Sequence, residues 1–333
     1  MQAIIPGMGP EKVTPENLNG RIAVITGGAL GIGFEIARAL AHAGCRVIVL
    51  SRKADQGADA MKTIREESPG AEAEWRECDL GELAKVRDVF TKLRGDLPRL
   101  DFVVCSSGIN VNQHGRDADD IDRHFGVNYL GHYYAINILW PLIRKTSRIP
   151  GAPAPRIVFE SSNMHKKAPQ DVKFASLEEI NDPNVGSEEE YGRTKLAMIL
   201  FGRYGLVERV IKPNNDNIYA ISVHPGPVNT TMQQQWKDAH PGITGQLLYW
   251  YMLARGRSVE QGSYSALWAL TSPKIEQDKE NANGSFYTDP DTPGERSAQA
   301  EDPKLGENLW KLSEKMVKEK LGEGALVDWD VKL

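Results

Sequence analysis

Tyr191-Gly192-Arg193-Thr194-Lys195 places a phenol and an ammonium four residues apart at the head of an apolar helical run, Leu196-Ala197-Met198-Ile199-Leu200-Phe201. Residues four apart share a helix face, so both groups can address one site. The chemistry that suits them is proton exchange with a carbonyl or alcohol oxygen. A carbonyl that takes up hydride needs a proton, and a phenol with an ordinary pKa of about 10 is poorly poised to exchange one at neutral pH. A neighbouring cation stabilises the phenolate and brings that value down. The spacing alone arises by chance in many helices, so the elements that would position the pair carry the weight.

Thr26-Gly27-Gly28-Ala29-Leu30-Gly31-Ile32-Gly33 follows an apolar run, Arg21-Ile22-Ala23-Val24-Ile25, and opens a helix-like one, Phe34-Glu35-Ile36-Ala37-Arg38-Ala39-Leu40. The context is strand, glycine turn, helix. Such a turn brings backbone close to a pyrophosphate, and the helix beginning near Gly33 aims N–H groups and the positive end of its dipole at it. A tight corner with no ligand is the structural alternative. The second strand, Cys45 to Leu50, ends at Ser51-Arg52-Lys53. An acidic residue at that point accepts from the adenosine ribose of NAD, whereas a basic one accommodates the extra phosphate of NADP. Ser51 stands where the acid would, and Arg52 can fork onto a phosphate, which favours NADP(H) over NAD(H). Solvated charges at a helix start are the plainer reading of Arg52 and Lys53.

Further along, a helix is expected over 54–67, and a third strand over 73–77 ending in Cys78-Asp79-Leu80, where Asp79 can cap a helix starting near Gly81. A fourth strand, Leu100 to Val104, runs into Cys105-Ser106-Ser107-Gly108, and a helical stretch over 119–147 carries Asn128 among apolar neighbours. A buried amide needs partners, which alone could explain it. The fifth strand, Arg156 to Glu160, ends at Ser161-Ser162, and the sixth, Ile218 to Val223, at His224-Pro225-Gly226-Pro227-Val228-Asn229-Thr230. Between Ser162 and Tyr191 lies an acidic, turn-rich interval that reads as a pocket wall or lid, or as a solvated excursion. The aromatic segment 232–257 reads equally as a flap over an apolar ligand or as packing. A helix over 258–270, a short strand over 284–287 and an amphipathic helix with Leu309, Leu312, Met316 and Leu321 near one face complete the pattern.

In this order the motifs resemble the short-chain dehydrogenase/reductase family over roughly residues 20–290, and Val127-Asn128-Tyr129-Leu130-Gly131-His132 is similar to its retinol-dehydrogenase-like branch. The resemblance implies Tyr191 as general acid/base and Lys195 holding the nicotinamide ribose and tuning Tyr191. It further implies Ser162, rather than Ser161, orienting the carbonyl oxygen, and Asn128 completing a proton relay through a water. Cofactor contacts are implied for Gly27, Leu30, Gly31, Ile32, Gly33, Arg52, Asp79, Leu80, Asn128, Tyr191, Lys195, Val228 and Thr230. Two departures stand out. Cys105-Ser106-Ser107-Gly108 replaces the family's Asn-Asn-Ala-Gly, and the Ser162 to Tyr191 interval is longer than in compact members, as in branches that handle lipophilic alcohols and carbonyls. A catalytically silent cofactor-binding scaffold and an isomerase or dehydratase are the alternative uses of such a cleft.

With 333 residues, 41% hydrophobic and 26% charged, the chain can form one doubly wound α/β domain, a Rossmann fold with a central parallel sheet. The expected division is an N-terminal arm over 1–20, the catalytic domain over 21–290 and a C-terminal helical extension over 291–333. A net charge of −5 argues against nucleic acid or anionic membrane and favours a small-molecule substrate. Cys45, Cys78 and Cys105 are widely spaced, and the seven histidines show no ligand spacing, so no metal is expected. No membrane span or leader is visible, so a cytoplasmic location follows by default. The resemblance also implies a homo-oligomer.

Overall fold

The computed structural model describes residues 9–111, 113–228 and 256–331. Short runs rich in β-branched and aromatic residues form the strands: β1 (Ile22–Thr26), β2 (Arg46–Ser51), β3 (Ala73–Glu77), β4 (Phe102–Cys105), β5 (Arg156–Glu160), β6 (Tyr219–Val223), β7 (Phe286–Asp289) and β8 (Thr292–Pro293). They make one sheet in the order β3-β2-β1-β4-β5-β6-β7-β8. Every pairing is parallel except β7 with β8. β1, β4, β5 and β6 are buried along their whole length, which parallel strands covered on both faces require.

The longer helices are α1 (Gly31–His42), α2 (Ala54–Glu67), α3 (Leu83–Asp96), α4 (Gly131–Ser147), α5 (Ser187–Leu200), α6 (Val259–Thr271) and α7 (Pro303–Leu321). Residues of α3, α4, α5 and α7 bury one core on one sheet face. Residues of α1, α2 and α6 bury the other. This is the doubly wound arrangement expected from the alternation of strand and helix patterns. Strand order reverses between β1 and β4, so the crevice for a ligand lies at their carboxyl ends, beside those of β5 and β6.

Local chemistry moves several expected boundaries. The helical stretch expected from 119 begins at Arg123, because Asp117 accepts from the Asp119 and Ile121 amides and closes a turn there. Its Gly126–Leu130 portion is a wider π turn. The strand expected over 284–287 forms over 286–289, since the Asn283 side chain engages the Ala220 amide and the Ile218 carbonyl. The last helix starts at Pro303, six residues before Leu309, with Asp302 as its cap. Beyond α7 the chain runs along α4, where Asn137 exchanges two hydrogen bonds of 2.8 Å with the Val327 backbone and Trp140 donates to the Trp329 carbonyl. Among the described residues no helix is long and apolar enough to cross a membrane.

Candidate active site

The glycine turn after β1 is built as a phosphate cradle. Gly27 has φ +67, and a Cβ there would come within 2.8 Å of Ser107 Cα; a Cβ on Gly33 would come within 2.5 Å of the Gly27 carbonyl oxygen. Glycine is therefore demanded by conformation at the first position and by close approach at both. α1 starts at Gly31 with Leu30 at its N-cap, and Leu30 supplies no side-chain acceptor to the first-turn amides. Leu30 itself is 48% exposed. Open amides at the N-terminus of a long helix, fronted by a turn no side chain could fill, fit the pyrophosphate of a dinucleotide.

The other residues implied in cofactor contact lie around this cradle. Arg52, just past β2, has its guanidinium 3.7 Å from the Asp79 carboxylate, with both side chains partly in solvent. Asp79 also accepts from the Gly81 amide, the capping turn that its position suggests. Leu80 packs its side chain into the core, and its carbonyl lies close against Gly131. Ile32 and Val228 meet across Gly262. Thr230 and most of the aromatic segment, residues 232–255, lie outside the described residues.

The proton-handling residues converge at the ends of β4 and β5. Tyr191 and Lys195 project from the first turns of α5, with the Lys195 Nζ 5.3 Å from the Tyr191 ring centre. Gly192 lets this helix lie against the turn that follows Ser162, for a Cβ there would meet the Met164 carbonyl at 2.7 Å. Lys195 Nζ donates to the Glu160 carbonyl at 2.6 Å, and the Ser161 hydroxyl donates to the Lys195 carbonyl at 2.8 Å. The Ser162 hydroxyl instead accepts from the Met164 amide at 3.1 Å, which leaves its own proton for another acceptor. The two adjacent serines are thus distinguished by their bonds.

Asn128 sits in the π turn, wholly buried. Its side chain accepts from the Ile109 amide at 2.7 Å and donates to the Ile109 carbonyl and Thr194, so the amide holds the loop after β4. Its backbone carbonyl accepts from His132 Nδ1 at 2.9 Å. A carbonyl can only accept, so His132 Nδ1 carries the proton and Nε2 accepts from the Thr26 hydroxyl at 2.8 Å. Thr26 in turn accepts from the Ser106 and Ser107 amides. One chain of bonds therefore ties Asn128 to the glycine turn and to the end of β4. Burial pushes His132 down to about 4, which keeps this imidazole neutral.

The Tyr191 phenol is raised above the ordinary value, by burial first and by the Glu160 carboxyl second. Lys195 has turned toward the Glu160 carbonyl, and burial lowers it to about 8. Glu160 is pushed up to about 8 by the same burial, against the attraction of Lys195.

Sequence reading missed Glu160, His132 and Thr26 as site residues. The phrase Leu130-Gly131-His132 carried the signal for His132, since a buried imidazole one helical turn after Asn128 must find partners. It also missed a cluster of distant residues: His114, Asp122 and Glu190 bring potential ligand atoms within 4.8 Å of one another. Here His114 Nδ1 meets Glu190 at 2.5 Å, fastening the loop after β4 to the residue before Tyr191. The interval before Tyr191 is anchored by Val172, Phe174 and Ile180 in the core, while Pro183, Asn184, Glu188 and Glu189 are exposed.

Comparison with known proteins accords with this geometry. A family model described as short chain dehydrogenase matches residues 21–172. A Neurospora crassa protein named as an oxidoreductase, bli-4, mitochondrial, is 32% identical over 315 residues, covering 92% of this chain and 74% of that one. Human polyprenol dehydrogenase is 27% identical over 258 residues, covering 77% of this chain and 74% of its own. Among solved structures, an Escherichia coli short chain dehydrogenase complexed with NADPH shares the fold, with a TM-score of 0.60 and 21% identity over 82% of this chain and 98% of that one. A glycine cradle at the β1 turn, a helix-borne tyrosine and lysine beside a strand-ending serine, and relatives of this closeness have one explanation: the chain belongs to the short-chain dehydrogenase/reductase family.

Proposed function

We propose that this protein is an NADP(H)-dependent oxidoreductase acting on the carbonyl or secondary alcohol of a lipophilic small molecule. The observation that carries the proposal is the pairing of Tyr191 with Lys195 on α5, which packs through Gly192 on the turn that follows Ser162, in a chain whose β1 turn is a glycine cradle. When bound, the nicotinamide supplies or takes the hydride. The chain's own residues do the rest. Ser162 donates to the substrate oxygen and orients it, and Tyr191 gives that oxygen its proton during reduction or removes it during oxidation. Lys195 balances charge beside the phenol. Asn128, whose carbonyl accepts from His132 Nδ1, is the residue assigned to hold a relay water.

Arg52 supports the NADP(H) preference, because a half-exposed guanidinium held only at 3.7 Å by Asp79 can turn onto a phosphate. The name of the human and zebrafish relatives, polyprenol dehydrogenase, supports a lipophilic alcohol or carbonyl as substrate class. The interval before Tyr191 and the aromatic segment 232–257 are the surfaces assigned to substrate choice. A cytoplasmic location and a homo-oligomer are part of the proposal on sequence grounds. The names of relatives from N. crassa and Brassica napus give those proteins mitochondrial and chloroplastic addresses.

The test is a fluorescence titration with NADPH and with NADH, followed by NADPH oxidation against a panel of lipophilic ketones, aldehydes and quinones. Tighter binding of NADPH with turnover of a panel member is the expected result. Absence of binding by either nucleotide overturns the proposal.

A further inference from the structure

The loop after β4 and the first turn of α5 bring together residues that the proton chemistry does not use. His114, Asp122 and Glu190 each offer a potential ligand atom within 4.8 Å of the other two. Asp122 and Glu190 are 0% exposed, and the His114 side chain, 27% exposed, is the one of the three that reaches solvent. The two carboxylates are only half used. Asp122 Oδ1 accepts from the Phe125 amide at 2.9 Å, and Glu190 Oε1 meets His114 Nδ1 at 2.5 Å. Asp122 Oδ2 and Glu190 Oε2 are buried with no hydrogen-bond partner among the described residues. One such oxygen is costly, and two in one place ask for a cation.

The neighbouring donors do not fill this need. Arg193 Nη2 lies 3.7 Å from Asp122 Oδ1, but the guanidinium spends its hydrogen bonds on the Glu179 and Ile180 carbonyls, at 3.0 and 2.7 Å. His124 Nε2 accepts from the Val111 amide at 3.1 Å, so its proton is on Nδ1. That nitrogen stands 3.3 Å from Glu190 and 3.9 Å from Asp122 and hydrogen-bonds to neither.

We propose that His114, Asp122 and Glu190 form a binding site for a divalent cation, Zn²⁺ by the chemistry of its donors, which fastens the loop after β4 to the helix that carries Tyr191. An imidazole with two carboxylates suits zinc, whereas Mg²⁺ and Ca²⁺ prefer oxygen alone. The ligands are His114 Nδ1 and one oxygen of each carboxylate, and the fourth position is left to water. Binding replaces the proton shared by His114 and Glu190, and opens the 2.5 Å between them toward the roughly 3.3 Å that separates two ligands of a tetrahedral zinc. His124 Nδ1 then donates to a ligand carboxylate from behind, as the outer partners of metal sites do.

The experiment strips the full chain with a chelator, dialyses the chelator away and titrates Zn²⁺ by calorimetry near neutral pH, with the thermal midpoint followed in parallel. Neither nucleotide nor substrate is present, so the outcome is independent of the oxidoreductase reading. One equivalent binds and raises the midpoint, because a ligand held only by the folded state stabilises it. Loss of an outer partner alone costs a metal site about 10- to 100-fold in affinity. Glu190→Gln and His114→Gln, which each remove a ligand, should therefore weaken Zn²⁺ by about a hundredfold or more and abolish the rise in midpoint. Failure of the wild type to take up one equivalent overturns the proposal. Uptake that both substitutions leave unchanged overturns it too, since the ion is then held elsewhere on the surface. Should Glu190→Gln not fold, His114→Gln, at the position that reaches solvent, carries the same comparison.

Discussion

Arg144–Asp216 and Lys195–Glu160 are buried cation and carboxylate sites of contrasting build. At the far end of α4, Arg144 donates to Asp216 at 2.6 and 2.8 Å and to the Val331 carbonyl at 3.0 Å, and both side chains are almost wholly buried. At the end of β5, Lys195 has a backbone carbonyl, while the Glu160 carboxyl oxygens have no hydrogen-bond partner. At the first site the guanidinium is matched by the carboxylate and a backbone carbonyl, and the segment after α7 is fastened by it. At the second the carboxyl oxygens go unmatched, and burial lowers Lys195 and raises Glu160.

The largest effect should come from the chemical side of this comparison. Tyr191→Phe is expected to lower turnover by a factor of about 10² to 10⁴ while NADPH titration stays near normal, as for loss of a general acid. Near-normal turnover in that variant removes Tyr191 from the role. On the structural side, Asp216→Ala strands a buried guanidinium and should cost about 3–5 kcal/mol in urea unfolding, with activity per folded molecule unchanged. The corresponding change at the other site, Glu160→Val, should leave the thermal midpoint unmoved or higher, because it replaces an unmatched buried carboxyl by a hydrocarbon. A clear fall in that midpoint would erase the distinction between the two sites.

Much of this was legible in the sequence, for a physical reason. The strand positions, the parallel sheet and the shared helix face of Tyr191 and Lys195 follow from short-range patterns: apolar runs, glycines at a strand-to-helix turn, and a spacing fixed by helix geometry. Arg144–Asp216, His132–Thr26 and His114–Glu190 join residues 72, 106 and 76 positions apart, and no local pattern announces such pairs. Glu160 was hidden differently. It was read as the end of an apolar strand, and only its burial without partners reveals it as more. Spacing gives Tyr191 a neighbour in Lys195 but does not show the burial that raises the phenol.

His132 tests a middle case, a buried group that is fully matched yet lies in the site. Its folded value of about 4 is below the ordinary 6.5, so the unfolded chain binds the proton first as the pH falls. The sign is that stability is fully present above 6.5 and is lost as the pH falls toward 4. Between pH 7 and pH 5 this group should remove about 2 kcal/mol from the unfolding free energy. His132→Gln should flatten that slope, and an unchanged slope would assign the acid sensitivity to other groups, His224 among them.

Arg52 and Asp79 provide the exposed counterpart of the buried pairs, and here the smallest effect on the fold goes with a change in selectivity. At 3.7 Å, with side chains 53% and 41% exposed, the pair is worth at most about 1 kcal/mol to stability. Arg52→Ser should therefore leave the unfolding free energy nearly unchanged. What it removes is a charged donor within reach of the cofactor, and a charge-assisted hydrogen bond of about 1.5–3 kcal/mol corresponds to a loss of about tenfold or more in the NADPH to NADH affinity ratio. Asp79→Asn frees the guanidinium from its competitor and should move that ratio the opposite way, by less. If neither variant alters the ratio, Arg52 is a solvated charge at the start of α2, and selectivity for the phosphate lies elsewhere in the cradle.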